Sequence, residues 1–91
     1  GAGAAAAPPL AQVQAIVARH CAGCHAEQPS FAGLVAPPRG VVLETPAQLQ
    51  QHRATMRQQL LARTMPLGNL TQMSDAERQT LLDWIDRGAP P

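Results

Sequence analysis

The sequence predicts an all-α domain. Three stretches carry apolar residues at helical spacing, and two of them open on a recognisable N-terminal cap. The segments between them are broken by proline and glycine and show no alternating strand pattern. Ninety-one residues make one small domain.

In chain order, residues 1–9, GAGAAAAPP, are low-complexity and read as a linker, an expression scar or the tail of a processed signal. They lack the basic start and long apolar core of an intact secretory signal, so the chain is expected to be already mature or cut from something larger. Residues 10–91 form the domain. Its first helix is expected from Leu10 to Cys24, with Leu10, Val13, Ile16, Val17, Cys21 and Cys24 on one face. A loop follows from Gln28 to Glu44, in which Gly40 to Leu43 is too short and isolated for a strand. The second helix opens at Thr45, with Pro46 in its first position and Gln48 completing a capping box. Its stripe is Leu49, Met56, Leu60 and Leu61. A second loop, Met65 to Met73, leads to Ser74-Asp75-Ala76-Glu77, another capping box with acids at the positive helix end. Leu81, Leu82, Trp84 and Ile85 form the face of that third helix, and Gly88 suits its end.

Composition narrows the function. The chain is 45% hydrophobic, yet 17 residues are alanine and only Phe31 and Trp84 are aromatic, so the core is poor in bulk. A chain of this length buries roughly 60% of its unfolded surface, and such scaffolds usually need a staple. Seven arginines against six acids, with no lysine, give a net charge of +1, too neutral for a nucleic-acid face or a basic membrane patch. No apolar run is long enough to span a bilayer. Two cysteines are too few for a multi-disulfide scaffold, and no hydrolase or P-loop signature is present.

The chemistry sits at Cys21-Ala22-Gly23-Cys24-His25. Cys-x-x-Cys-His is the attachment signature for a c-type haem. Two thiols one turn apart can each bond a vinyl group on the same porphyrin, and the adjacent imidazole can take the iron. One covalently attached haem c would also supply the missing core. Three other uses of paired cysteines compete: a thioredoxin-like couple, half of a zinc site, and a plain disulfide. The first normally opens a helix in a βαβ setting, and the second needs four ligands where only His20, His25 and His52 could join the thiols.

The sixth iron position has five candidates: Met56, Met65, Met73, His20 and His52. Met65 is preferred, because it precedes Pro66 in an irregular loop able to bring sulfur to the far face of the ring. Met56 lies on an apolar helix face where methionine is commonly core filler, and Met73 precedes a capping serine as a hydrophobic staple would. His20 and His52 read as solvated or packing histidines. Imidazole plus thioether is an electron-transfer set, since both axial positions are filled and sulfur raises the potential. His25 is expected to donate its second ring N–H to a backbone carbonyl of the loop, with Pro37 or Pro38 as the source.

These residues resemble the class I cytochromes c over Leu10 to Ala89: CAGCH at 21–25, the proline-glycine loop at 37–40, Met65-Pro66, and LLDWI at 81–85. The resemblance implies a small cytochrome c fold, three main helices and loops wrapped around one covalent haem. Cys21 and Cys24 would be its thioether residues, and His25 and Met65 its axial ligands. It also implies that the first and last helices cross, so that Val13 and Val17 meet Leu81, Trp84 and Ile85.

TMPLGNLTQMSDAER at 64–78, PPRGV at 37–41 and TPAQL at 45–49 further resemble the C-terminal cytochrome domain of the PuuD-type membrane urate hydroxylases. That likeness implies a fused membrane catalytic domain as electron donor, a downstream cytochrome or oxidase as acceptor, and a periplasmic location on the bacterial inner membrane. This fragment is then an electron-transfer domain and not an enzyme by itself. The alternatives are a stand-alone periplasmic electron-shuttle cytochrome, a haem enzyme or gas sensor with Met65 unbound, and a metal or redox module without haem. Scattered charge on a lysine-free surface would steer a diffusing partner weakly, which suits a tethered domain.

Overall fold

Where two of the helices begin is set by local capping chemistry. The computed structural model describes residues 6–91 and, among them, the chain is all-helical: α1 (Leu10–His20), α2 (Pro46–Gln51), α3 (Arg53–Ala62) and α4 (Asp75–Asp86). Short 3-10 turns at Pro38–Gly40 and Leu67–Asn69 shape the loops before α2 and α4. At α2, the Thr45 hydroxyl accepts the Gln48 N–H while the Gln48 side chain accepts the Thr45 N–H. Ser74 and Glu77 make the same reciprocal pair at α4. Each box satisfies donors that a helix start leaves without intrahelical partners. Gly88, at φ 96°, turns the chain out of α4, as its position predicts.

Two helices differ from expectation. α1 stops at His20 rather than Cys24, because the Cys21 and Ala22 N–H groups both donate to the Val17 carbonyl and close the helix there. The cysteine segment is therefore a turn, with the Cys24 and His25 N–H groups donating back to the Cys21 carbonyl. The single helix expected from Pro46 onward is broken at His52, which sits at φ −99°, ψ 11°. The break lets Leu49 of α2 and Met56 and Leu60 of α3 all reach the core, whereas Leu61, expected on the same stripe, is exposed.

α4 packs against both α1 and α3. Val13, Ile16 and Val17 from α1 share one cluster with Leu81, Leu82, Trp84 and Ile85 from α4, as the expected helix crossing requires. Trp84 is the largest fully buried side chain and its indole N–H donates to the Pro90 carbonyl at 2.9 Å. Each fully buried Val or Leu contributes about 1.5–3 kcal/mol. Of the stretch read as a linker or scar, residues 1–5 lie outside the described residues, while Ala7 packs against the core.

Two polar side chains are buried with this core. His20 closes the α1 stripe, its ring bonded to the Thr71 hydroxyl at 2.8 Å and to Glu77 at 3.0 Å. Arg78, on the α4 stripe, reaches the end of α3. Among the described residues no helix is long and apolar enough to cross a membrane.

Candidate functional site

The site is built where the cysteine turn meets the loop before α2. The His25 N–H is held by Cys21, and the His25 carbonyl accepts the Leu43 N–H at 2.7 Å. His25 Nδ1 lies 3.0 Å from the Val41 carbonyl. A carbonyl can only accept, so Nδ1 carries a proton, and in the neutral imidazole Nε2 is the nitrogen left with its lone pair. His25 is thus clamped from backbone and ring by the same extended segment, Val41 to Leu43.

The accepting carbonyl is Val41, not Pro37 or Pro38 as expected. The Pro37 and Pro38 carbonyls are taken up within the 3-10 turn, where they accept the Gly40 and Val41 N–H groups. Arg39 adopts a left-handed φ of 56° in that turn, and the first extended residue beyond it supplies the free carbonyl.

His25 and Met65 line one cavity of about 240 Å³. Its apolar lining comes from Pro38, Val41, Leu43 and Met56, and its polar lining from Arg39, His52, Thr55 and Gln59. The structure therefore brings together three of the five residues weighed for the sixth position: Met65, Met56 and His52. Met73 is buried in the core, and His20 is committed to Thr71 and Glu77. Met56 belongs to the core cluster as well as the cavity wall, which leaves Met65, half-buried in its loop, as the freer sulfur. The Met65 carbonyl accepts from Arg78 at 2.9 Å, tying the loop to α4.

Cys21 and Cys24 are both half-buried free thiols, and neither lines the cavity. Burial, and then the neighbouring Cys24, push the Cys21 pKa up to about 11, so it is a neutral thiol at physiological pH. The attacking thiol of a redox couple has to be poised as thiolate, a role for which Cys21 is unsuited. Among the described residues no group of three or more His, Cys, Asp or Glu side chains converges to hold a metal ion, so the zinc alternative lacks its ligand set.

The donor set fits an iron-porphyrin. One imidazole with a fixed tautomer and a free nitrogen shares an apolar slot with a thioether, and two thiols stand on the turn that carries the imidazole. Sequence reasoning missed the burial of Arg78, although the signal was there: positions 78, 81, 82 and 85 share one helical face.

Four of the seven arginines are paired with carboxylates of this chain: Arg19 with Glu77, Arg57 with Asp86, Arg63 with Asp75 and Arg87 with Asp83. These pairs are solvent-exposed and add little stability, but they neutralise the surface charge that could draw a diffusing partner. No protein-family model, no curated protein and no solved structure matches the chain.

Proposed function

We propose that this chain is a monohaem c-type electron-transfer domain of the class I cytochrome kind. The observation that carries the reading is the shared apolar cavity of His25 and Met65, with the His25 ring locked by the Val41 carbonyl. Cys21 and Cys24 would hold the porphyrin through thioethers, each S–H adding across a vinyl double bond. His25 and Met65 would hold its iron. The bound haem would supply one-electron redox chemistry.

The chain's own residues do the rest. The Val41 carbonyl fixes the imidazole plane and raises its basicity as a ligand. Pro38, Val41, Leu43 and Met56 exclude water, so little surrounding structure has to rearrange when charge changes. A thioether ligand from Met65 would favour the ferrous state and a raised potential.

The partner we infer is an attached membrane urate-oxidising domain that donates electrons, with a cytochrome or oxidase downstream on the periplasmic side. The internally paired arginines support tethering, since a covalent linker replaces electrostatic steering by effective concentration. The parent reading frame tests this directly: upstream transmembrane helices support it, and their absence favours the stand-alone shuttle.

Met65→Ala tests the ligand set. The variant should keep its haem covalently bound, lose the weak sulfur-to-iron absorption band of the ferric protein, and bind carbon monoxide more readily when reduced. Survival of the band would remove Met65 from the iron. His52 is the second reading, favoured by its place in the same cavity. A low-spin ferric wild type without the sulfur band would assign the position to it.

A further inference from the structure

Arg78 is a buried cation for which the reading above has no use. Its side chain projects from the apolar face of α4 and is 6% exposed, and among the described residues no carboxylate pairs with it. One nitrogen, Nη1, donates to two carbonyls, Leu60 at 3.0 Å and Met65 at 2.9 Å. Its Nε is buried without a hydrogen-bond partner. Removing a guanidinium from water without a counter-charge is costly, and an aliphatic residue at this stripe position would escape that cost. Something other than core packing accounts for an arginine here.

The two carbonyls show what it accomplishes. Leu60 is in the last turn of α3, where its carbonyl accepts only the closing Arg63 N–H from the backbone and a cation is favoured. Met65 lies just beyond, after Arg63 turns the chain at a left-handed φ of 59°. Among the described residues Arg78 is the one donor to the Met65 carbonyl. The far end of the loop is fixed separately, by Asn69 bonding both backbone groups of Met73. Arg78 therefore holds the near end, at the residue whose side chain lines the cavity.

We propose that Arg78 is a positioning residue for Met65: by bridging the end of α3 and the Met65 carbonyl, it keeps the thioether in the His25 cavity. The proposal rests on the haem reading above. The two N–H bonds of Nη1 are fixed in the rigid guanidinium plane, so both carbonyls are held at set positions relative to α4. A lysine at 78 would keep the charge but carry it on a flexible stem with freely rotating N–H bonds, and a methionine would fill the space with no donor at all.

The test uses haem-loaded protein as wild type, Arg78→Lys and Arg78→Met. Each is heated while the ferric sulfur-to-iron band and the far-ultraviolet helix signal are followed together, with covalent haem content measured beforehand. In wild type the band should persist until the helices melt. In Arg78→Lys it should vanish at a distinctly lower temperature than the helix signal, with haem content unchanged. In Arg78→Met the band should be weak or absent before heating begins. If the methionine variant does not fold, the lysine variant decides alone. Band and helix signal falling together in Arg78→Lys would make Arg78 merely structural and overturn the proposal. A wild type that carries covalent haem but no band would instead sink the Met65 assignment itself, and this proposal with it.

Discussion

Replacing Trp84 by alanine probes the contact on which the domain's architecture turns. Trp84 is 1% exposed, at the packing of α1 on α4, and it is the largest side chain fully withdrawn from water. Truncating a buried Trp to Ala costs about 3–5 kcal/mol, from lost transfer energy and the cavity left behind. The indole N–H bond to Pro90 adds a smaller loss, because that carbonyl is half-buried and water can replace the donor. A domain of this length is stabilised by about 5–14 kcal/mol in all, so the change removes a large share. The melting temperature should fall by at least about 12 °C, at about 4–8 °C for each kcal/mol in a domain of this size. Trp84→Phe retains most of the apolar area and should cost about 1–2 kcal/mol. Thermal and urea unfolding of the haem-loaded protein, followed by circular dichroism, gives both values. An alanine variant within about 0.5 kcal/mol of wild type, the range of ordinary surface changes, would refute the central place given to this residue.

Other perturbations separate the remaining contributions. The Glu77 carboxyl is held below its ordinary value of 4.5, first by the Ser74 N–H and then by the His20 ring. A depressed folded pKa means that this stabilisation is present above the unfolded value and is lost as pH falls through the folded one. Glu77→Gln should therefore flatten the decline of urea stability below pH 4.5, and an unchanged slope there would remove Glu77 from the acid response. Asn69→Ala deletes two bonds to the Met73 backbone at a left-handed φ of 49°, so a loss of about 1–3 kcal/mol is expected in urea unfolding. Cys21→Ala should leave part of the haem attached through Cys24 alone, visible as haem that survives acid-acetone extraction. Complete extraction from that variant would contradict attachment through both thiols.

Much of the architecture was legible because it is locally encoded. Both capping boxes depend only on residues within one turn, and so did Gly88 at the end of α4. The α1 and α4 stripes were each legible from helical spacing, and they share one cluster as the family resemblance implied. The misses came from tertiary choices. Whether α1 ran on to Cys24 depended on two N–H groups competing for the Val17 carbonyl, which no periodicity reports. The break at His52 separates Leu49 from Met56 so that both reach the core. Val41 took the place expected for Pro37 or Pro38 because the 3-10 turn had already used those carbonyls. His20 and Arg78 sat on apolar stripes in plain view, yet a polar residue at such a position has a meaning only once its partners are known. At the candidate site, the pentapeptide marked the position by its spacing alone, while the convergence of residues 25 and 65 needed the fold.

The central claim is that both sulfurs of the CAGCH turn are bonded to a porphyrin. It is tested most directly by the intact mass of the unfolded protein, read beside its pyridine haemochrome spectrum, after expression with a bacterial c-type maturation apparatus. The account predicts the mass of the chain plus one iron-porphyrin, no titratable thiol, and the spectrum of a haem whose vinyl groups are both saturated. The bare polypeptide mass with two free thiols, from a colourless protein made under those conditions, would contradict it.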